Sequence, residues 1–455
     1  MTVQDTGLRA KVLSSTKLTT LSYISSIMTR LVSTVILTRL LAPEIYGVFA
    51  VVMVYLYVLP MFSDLGVRSL ILTKEGEVED DFLRTCWTVS ILRGIVICLL
   101  SCGVGGAIAM MQGMEVFAPD SPYAATALPW ALAALGVTMI VLGLQSPMLF
   151  MQERNMAFGK VVGLNIVVDL IGLFVTIALA FYLRSVWALV IGNATRTVLY
   201  SLASFVFFKG PAMGLCLNRA HLSTVIDRGK WIIGHSALTA ISQSGDRLIL
   251  GFVMSSSTFG FYFIARQLVG IVEWFLISLD QRIGLQVFTQ LHKSDTAGFR
   301  RNYYKFRLFF DIIAGLAAGS LIVLSPLIVE IMFDDRYLEV APIAQVLGWS
   351  VLLVGPLLLR SAFGAERRFK EMTLLSVVST ATLWIGLLSA IFVFDSVQIA
   401  LMVIALHRLP EAMICTLWGG DRDWVIVWRE FIGFVFCGFG VLLGLGLLAL
   451  WSAVT

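Results

Sequence analysis

Long apolar runs, separated by short polar segments, follow one another along the whole chain. A helix that crosses a bilayer needs about 20 mostly apolar residues, because the hydrocarbon core is about 30 Å thick. Thirteen segments fit this length and predict thirteen membrane-spanning helices. The first is the most polar, and it is included because an internal repeat requires it. The predicted spans lie near residues 17–38, 46–66, 85–111, 127–150, 158–182, 185–208, 230–254, 258–281, 308–333, 341–363, 372–394, 396–418 and 431–453.

Composition also indicates an integral membrane protein with little mass outside the bilayer. Of the 455 residues, 58% are hydrophobic and 14% are charged, whereas a soluble domain carries about 25% charged residues. A membrane β-barrel would show alternating segments of about ten residues, which the long unbroken runs exclude. The polar connections are too short for a soluble catalytic domain. The six cysteines have no metal-site spacing, so we expect apolar packing and no disulfide.

The distribution of basic residues predicts the orientation. If the N-terminus is cytoplasmic, the inside segments hold twenty Lys and Arg, and the outside segments hold only Arg39, Arg184 and Arg336. Cytoplasmic loops of membrane proteins carry such an excess of basic residues. We therefore expect a multi-pass protein of the bacterial cytoplasmic (inner) membrane with its N-terminus inside. Residues 1–16 are polar, so no cleavable signal peptide is expected. The basic loops fit anionic inner-leaflet lipid, and no nucleic-acid partner is expected.

Short motifs recur in the same order in the two halves of the chain. An aromatic-glycine pair at Tyr46-Gly47 is matched 213 residues later by Phe259-Gly260. Glu153-Arg154 is matched by Glu366-Arg367 at the same offset. Six predicted spans separate the copies, so both copies run through the membrane in the same direction, as parallel repeats do.

The repeat predicts an all-α polytopic membrane protein. Two six-helix lobes, related by a parallel pseudo-two-fold axis, would surround a central cavity, with at least one extra C-terminal helix. The predicted parts are an N-terminal lobe at 1–208, a cytoplasmic linker at 209–229, a C-terminal lobe at 230–419 and an additional transmembrane helix at 420–455.

Charged residues within the predicted spans identify a candidate site. A charge at mid-bilayer costs about 2.5–3.5 kcal/mol even on the most lenient scale, so such groups face protein or water. Arginine keeps its charge and its planar fork matches phosphate oxygens, so three arginines are candidates to bind an anion: Arg30, Arg247 and Arg266. Four further residues are candidates for the polar lining of the cavity or for ion coupling: Asp169, Arg196, Asp246 and Glu273.

Structural pairing is the alternative for several of these residues. Arg266 and Glu273 lie seven residues apart on one helical face, and each could pair with a neighbouring group only to hold the fold. Asp246 beside Arg247 could likewise form one structural pair. The spacing alone leaves both interpretations open.

Five segments, taken in order, resemble the Wzx-type polysaccharide flippases of the multidrug/oligosaccharidyl-lipid/polysaccharide exporter superfamily. They are Arg39-Leu-Leu-Ala-Pro-Glu-Ile-Tyr-Gly-Val-Phe49 with Ser63-Asp-Leu-Gly66, Gln152-Glu-Arg-Asn-Met-Ala-Phe158, Gly245-Asp-Arg-Leu248, and Phe259-Gly-Phe-Tyr-Phe-Ile-Ala265. The likeness covers most of residues 20–375. Members usually have 12 or 14 spans, so a count of thirteen departs from the family and leaves the C-terminal topology open.

The resemblance implies a function. Such a protein would move an undecaprenyl-pyrophosphate-linked oligosaccharide from the inner to the outer leaflet by alternating access, for exopolysaccharide or O-antigen biosynthesis. Arg30 and Arg266 occupy places where relatives, including lipid II flippases, carry cavity arginines. The implied partners are the lipid-linked oligosaccharide, membrane lipids, a polysaccharide polymerase and a chain-length regulator. No cofactor, metal or enzymatic activity is expected.

Two other functions stay open at this point. A membrane-embedded polysaccharide polymerase or ligase has a similar size, but usually carries a long periplasmic loop with catalytic Arg or His. The longest predicted outside loop here, 112–126, contains no Arg, Lys or His. A cation-coupled multidrug exporter favours an acidic, aromatic cavity, whereas the embedded arginines here outnumber the buried acids. No GxxxxGK[ST] motif occurs, so nothing indicates direct ATP drive.

Overall fold

A computed structural model describes residues 21, 24–63, 65–74, 76–155, 157–211, 214–280, 288, 296–366 and 368–454. Throughout this described part the regular structure is helical, as the sequence predicts. Residues 17–20, 22 and 23 of the first predicted span lie outside it. The chain divides into two compact units, Met1–Ser257 and Thr258–Thr455. These units are defined by compactness, whereas the predicted lobes at 1–208 and 230–419 are defined by the sequence repeat. The lobes stay a prediction.

The first unit contains the helices α1 to α9. Helix α1 covers residues 24–40. The others are α2 (Pro43–Met61), α3 (Val67–Thr73), α4 (Asp80–Gly113), α5 (Ala127–Gly143), α6 (Met148–Arg154), α7 (Phe158–Leu183), α8 (Val186–Phe207) and α9 (Arg219–Val253).

The second unit begins within α10. Its helices are α10 (Ser256–Leu279), α11 (Thr296–Met332), α12 (Val340–Leu347), α13 (Trp349–Leu352), α14 (Leu359–Ala365), α15 (Phe369–Phe392), α16 (Val397–Leu406), α17 (Leu409–Gly420) and α18 (Ile432–Val454).

A helix lies at each of the thirteen places where the sequence predicts a span. Among the described residues, nine helices are long and apolar enough to cross a bilayer, or eleven if each of two bent pairs is one span. The remaining two, α1 and α9, are the polar first and seventh predicted spans, and their crossing of the bilayer stays a prediction.

The two bent spans are a feature that the sequence analysis did not predict. The chain turns by 63° between α5 and α6, and by 42° between Leu352 and Pro356. Pro147 and Pro356 lie at these breaks, and proline removes a backbone donor and ends a helix. The bends come just before Glu153 and Glu366, the two equivalent positions of the repeat, so they recur once in each unit.

Glycines let neighbouring helices of the first unit approach closely. A methyl group built on Gly94 of α4 would lie 2.5 Å from the carbonyl oxygen of Met139 on α5. One built on Gly143 would lie equally close to the carbonyl oxygen of Ser90. Between membrane helices, where lipid is as apolar as leucine, such close backbone packing is a main source of association.

The first two residues of α10, Ser256 and Ser257, belong to the first unit and form hydrogen bonds within it. The backbone N–H and hydroxyl of Ser256 both donate to the carbonyl oxygen of Asp120, at 2.7 and 2.9 Å. The hydroxyl of Ser257 donates to Glu44 at 2.6 Å. Gly47 of the repeat motif faces the same turn, because a methyl group there would lie 1.9 Å from the carbonyl oxygen of Ser256. The glycine of this motif is therefore required by packing.

In the second unit, α18 lies along α11 in a glycine-lined contact. A methyl group on Gly319 of α11 would lie 2.2 Å from the carbonyl oxygen of Cys437, and one on Gly440 would lie 2.6 Å from that of Leu316. The Gly440–Gly444 spacing in the sequence permits such packing. Among the described residues, its partner is α11 of the same chain, so the predicted extra helix belongs to this unit.

Candidate functional site

A buried carboxylate connects three helices of the first unit. Asp169 of α7 is 8% exposed, and its Oδ1 lies 2.6 Å from Nε of Arg196 on α8. Its Oδ2 accepts a hydrogen bond of 3.1 Å from the hydroxyl of Ser26 on α1. Both oxygens of the buried carboxylate thus have a donor, as a buried charge requires. The sequence predicted Asp169 and Arg196 as cavity residues but not their pairing.

Small residues place this pair. A methyl group on Gly172, one turn after Asp169, would lie 3.2 Å from Cβ of Arg196. A methyl group on Gly192, one turn before Arg196, would lie 1.8 Å from the hydroxyl oxygen of Thr176. The two glycines allow α7 and α8 to approach until the guanidinium reaches the carboxylate. The Arg196 side chain is nevertheless 54% exposed, so part of the cation faces outward.

Arg30 lies one helical turn after Ser26, and therefore on the same side of α1. Its side chain is exposed, and the guanidinium has no ion-pair or hydrogen-bond partner within the described part of the chain. Thr34 donates to the Arg30 carbonyl oxygen at 2.9 Å. Arg30 is thus an arginine whose charge no described carboxylate neutralises.

Helix α9 carries the second candidate pair of this unit. Nε of Arg247 lies 4.0 Å from Oδ1 of the buried Asp246, which is too far for a hydrogen bond. An Nη2 hydrogen of Arg247 instead reaches the carbonyl oxygen of Gln243 at 3.5 Å. The Gln243 side chain accepts a hydrogen bond of 2.8 Å from Tyr57 of α2. The ion pair between Asp246 and Arg247 is therefore long and includes no hydrogen bond between these two atoms.

In the second unit, Arg266 and Glu273 form a direct ion pair. Nη1 of Arg266 donates to Oε2 of Glu273 at 2.7 Å, and the carboxylate is 5% exposed. The hydroxyl of Ser350 on α13 donates to the other oxygen. The two residues, seven positions apart, thus form the ion pair that their spacing allowed. Whether Arg266 also meets substrate stays a prediction.

A second buried ion cluster in this unit was missed by sequence reasoning. Arg307 of α11 is 1% exposed and donates to Asp311 at 2.8 Å and to the carboxylate of Glu430, just before α18. Its Nη1 also donates to the hydroxyl of Tyr303 at 2.9 Å. The four-residue spacing of Arg307 and Asp311 was a visible signal. Glu430 lies 123 residues away, and nothing local indicates it.

The predicted residues are thus brought together in part. Arg30, Asp169 and Arg196 share one region of the first unit, linked through Ser26, and Arg266 and Glu273 form a pair in the second unit. Within the part of the chain that the structure describes, no three His, Cys, Asp or Glu side chains could together hold a metal ion.

A sequence profile described as "Polysaccharide biosynthesis protein" matches residues 36–342, which is more than half of the chain. The chain belongs to this polysaccharide biosynthesis protein family. The matched region includes every candidate residue except Arg30. The family resemblance predicted from the motifs is thereby confirmed.

Other comparisons agree with this family. The chain is 21% identical over 345 residues to the lipopolysaccharide biosynthesis protein WzxC of Escherichia coli (strain K12), covering 75% of this chain and 67% of that protein. Among solved structures, it resembles the lipid II flippase MurJ in an inward closed conformation, with a TM-score of 0.70 and 13% identity over 97% of this chain and 98% of that one.

An inward-facing multidrug transporter of the MATE family is also similar, with a TM-score of 0.62 and 11% identity over 88% of this chain and 94% of that one. At these identities the structural likenesses establish the fold alone. The family member described here therefore has the fold of the MurJ and MATE transporters, as the predicted fold class requires.

Proposed function

We propose that this polysaccharide biosynthesis protein is a flippase. It carries an undecaprenyl-pyrophosphate-linked oligosaccharide from the inner to the outer leaflet of the bacterial cytoplasmic membrane, by alternating access. The observation that carries the proposal is the family match over residues 36–342. The relation to WzxC and the fold shared with a lipid II flippase support it.

The proposed orientation places the N-terminus in the cytoplasm. The excess of basic residues in the segments assigned to the inside supports it. The product would then be delivered to the outer leaflet, where a polysaccharide polymerase and a chain-length regulator are its proposed partners.

Arg30 is the first choice for the pyrophosphate contact. The substrate has two phosphates and a polar glycan, so it requires a cation that is not already neutralised. Arg30 has an exposed guanidinium without a described partner, and a guanidinium binds phosphate oxygens in a bidentate manner. Arg247, held loosely by Asp246, is the second candidate.

The remaining predicted residues receive supporting roles. Arg266 keeps its proposed place in the anion site, but its pair with Glu273 gives it a structural role as well. Asp169 and Arg196 are proposed to line the polar cavity or to couple an ion. Because Ser26 of α1 donates to Asp169, a change in this ion pair would also change a contact of α1.

Loss of the gene tests the proposal directly. In a deletion strain, lipid-linked repeat units are expected to be complete but accessible only from the cytoplasmic face, and a plasmid copy should restore export. Purified protein in vesicles should move a fluorescent polyprenyl-pyrophosphate glycan between leaflets without altering the glycan. Lengthening or transfer of the glycan by the purified protein would instead identify a polymerase or ligase. Export of a cationic drug without glycan movement would identify a multidrug exporter.

A matched pair of variants tests the anion site. Arg30→Ala should reduce transport at least about tenfold at normal protein abundance. Arg336→Ala removes an arginine that is already paired with Asp334 at 2.7 Å and is assigned to the outside, so it should transport normally. Equal transport by both variants would remove Arg30 from the site.

A further inference from the structure

The segment before α9, residues 214–218, is fixed along the side of α4. The backbone N–H of Cys216 donates to the hydroxyl of Thr88 at 3.0 Å, and that of Asn218 donates to the hydroxyl of Thr85 at 3.4 Å. Each threonine hydroxyl in turn donates to the carbonyl oxygen four residues earlier in α4. Part of the predicted linker, 209–229, is therefore a structured element of the first unit.

Two leucine side chains of this fixed segment are exposed on the surface of the protein. Leu215 is 75% exposed and Leu217 is 51% exposed. In a water-exposed loop both would be unfavourable, because the transfer of apolar surface out of water is favourable. Next to the apolar face of α4, both leucines are suited to contact with lipid.

A groove separates these leucines from α4. Its volume is about 320 Å³. Its lining is formed by Thr88, Ile91, Leu92, Ile95, Leu215, Cys216 and Leu217. Leu92 and Ile95 also belong to the exposed apolar face of α4, which continues through Val96 and Leu99. Helix α4 is apolar enough to cross the bilayer, so this face lies against lipid. The groove is therefore continuous with the lipid-facing surface.

Two arginines adjoin the contact between Thr85 and Asn218, beside the groove but outside its lining. Arg84 is one helical turn before Thr88, on the same face of α4. Its Nε is buried without a hydrogen-bond partner among the described residues, and its Nη1 forms a long ion pair of 3.9 Å with the exposed Asp81. Arg219 follows the fixed segment directly, and its exposed side chain lines a neighbouring pocket with Leu222 and Asp227. An apolar groove with two arginines next to it in the chain matches a phospholipid, whose acyl chain suits the groove and whose anionic phosphate suits the arginines.

We propose that this groove binds one anionic phospholipid. An acyl chain lies along Ile91 and Ile95, between α4 and the two leucines, and the headgroup phosphate meets Arg84 and Arg219. In the proposed orientation the lipid belongs to the inner leaflet. The bound lipid would attach the segment between the predicted lobes to the membrane surface.

Photo-crosslinking in nanodiscs tests this site. The purified full-length protein is placed in phosphatidylcholine nanodiscs that contain a small fraction of phosphatidylglycerol with a diazirine in its acyl chain. After illumination, mass spectrometry should find the lipid on peptides that contain Ile91 to Ile95 or Leu215 to Leu217. Unlabelled phosphatidylglycerol should compete, and phosphatidylcholine should not.

Charge-removing variants test the headgroup contact. A basic residue near an anionic lipid surface contributes about 1 kcal/mol, and 1.4 kcal/mol corresponds to a factor of ten. Arg84→Gln and Arg219→Gln should therefore each weaken competition by phosphatidylglycerol about fivefold. Lys370→Gln, at an exposed position of the second unit, is the matched control and should have no effect. Leu215→Ser with Leu217→Ser should reduce crosslinking in the groove without lowering the yield of folded protein.

Three results would overturn the proposal. They are crosslinks spread evenly over all lipid-facing helices, equal competition by the two lipids, and unchanged crosslinking in the arginine and leucine variants. A nanodisc offers both leaflets, so the assay does not depend on the proposed orientation or on flippase activity. A failure here would leave the proposed function untouched, and a failure of transport would leave this site untouched.

Discussion

Removal of the cation from the buried cluster around Arg307 should strongly destabilise the second unit. Arg307 is 1% exposed and is shared by Asp311 and Glu430. The variant Arg307→Met keeps a similar volume but leaves two buried carboxylates without their cation. Removing one partner of a buried ion pair costs about 3–5 kcal/mol. Because Glu430 directly precedes α18, we expect this helix to separate from α11 first.

The assay is unfolding of the purified protein in mixed micelles by titration with sodium dodecyl sulfate, which gives a midpoint for each variant. Arg368→Met is the matched control. Arg368 also contacts two carboxylates, Glu366 at 2.6 Å and Glu371 at 2.8 Å, but its side chain is 40% exposed. Exposed pairs contribute about 0–1 kcal/mol, so this control should shift the midpoint little.

A triple variant separates lost packing from unpaired charge. Arg307→Met combined with Asp311→Asn and Glu430→Gln contains no charge in the cluster, so it should recover much of the stability that the single variant loses. If Arg307→Met is no less stable than Arg368→Met, the buried-charge argument is refuted. If the triple variant is as unstable as the single one, packing rather than charge explains the loss.

Three further predictions concern the anion site, the helix contact and the orientation. Arg30→Ala should reduce glycan transport at least about tenfold, because a lost hydrogen bond to a charged group costs about 1.5–3 kcal/mol; Lys should rescue it partly, and equal transport would exclude a substrate contact. Gly319→Leu should separate α18 from α11 and lower the unfolding midpoint, whereas Gly446→Leu, with open space around the glycine, should not; equal midpoints would contradict the close packing. In a cysteine-free background, a cysteine at the exposed Asp395 should react with an impermeant thiol reagent in intact cells, and one at the exposed Glu77 only after lysis; the reverse pattern would invert the proposed orientation.

The positions of the helices could be predicted because two independent signals agree. Apolar length locates most of the spans, and the repeat supplies α1, which apolar length alone misses. The bends escaped prediction although Pro147 and Pro356 were visible. A proline within an apolar run is compatible with a kink or with a break, and hydropathy does not distinguish them.

The contacts of the candidate site could be predicted only where they are local. Arg266 and Glu273 lie two turns apart on α10, so their spacing indicated the pair. Asp169 and Arg196 lie on different helices, and their meeting depends on the close approach of α7 and α8 that glycines permit. Such a pair has no periodicity in the sequence, which is why the two residues were predicted separately and not as partners.

The glycine-lined contact of α18 with α11 has a thermodynamic consequence. Lipid tails are about as apolar as the leucines of the helix, so docking α18 within the bilayer removes little apolar surface from water. Removal of apolar surface from water is the source of the large heat-capacity change of soluble proteins. Separation of these two helices should therefore have a heat-capacity change near zero, and its free energy should vary almost linearly with temperature. The attachment of the last helix would then be preserved on cooling, under conditions that weaken a hydrophobic interface in water.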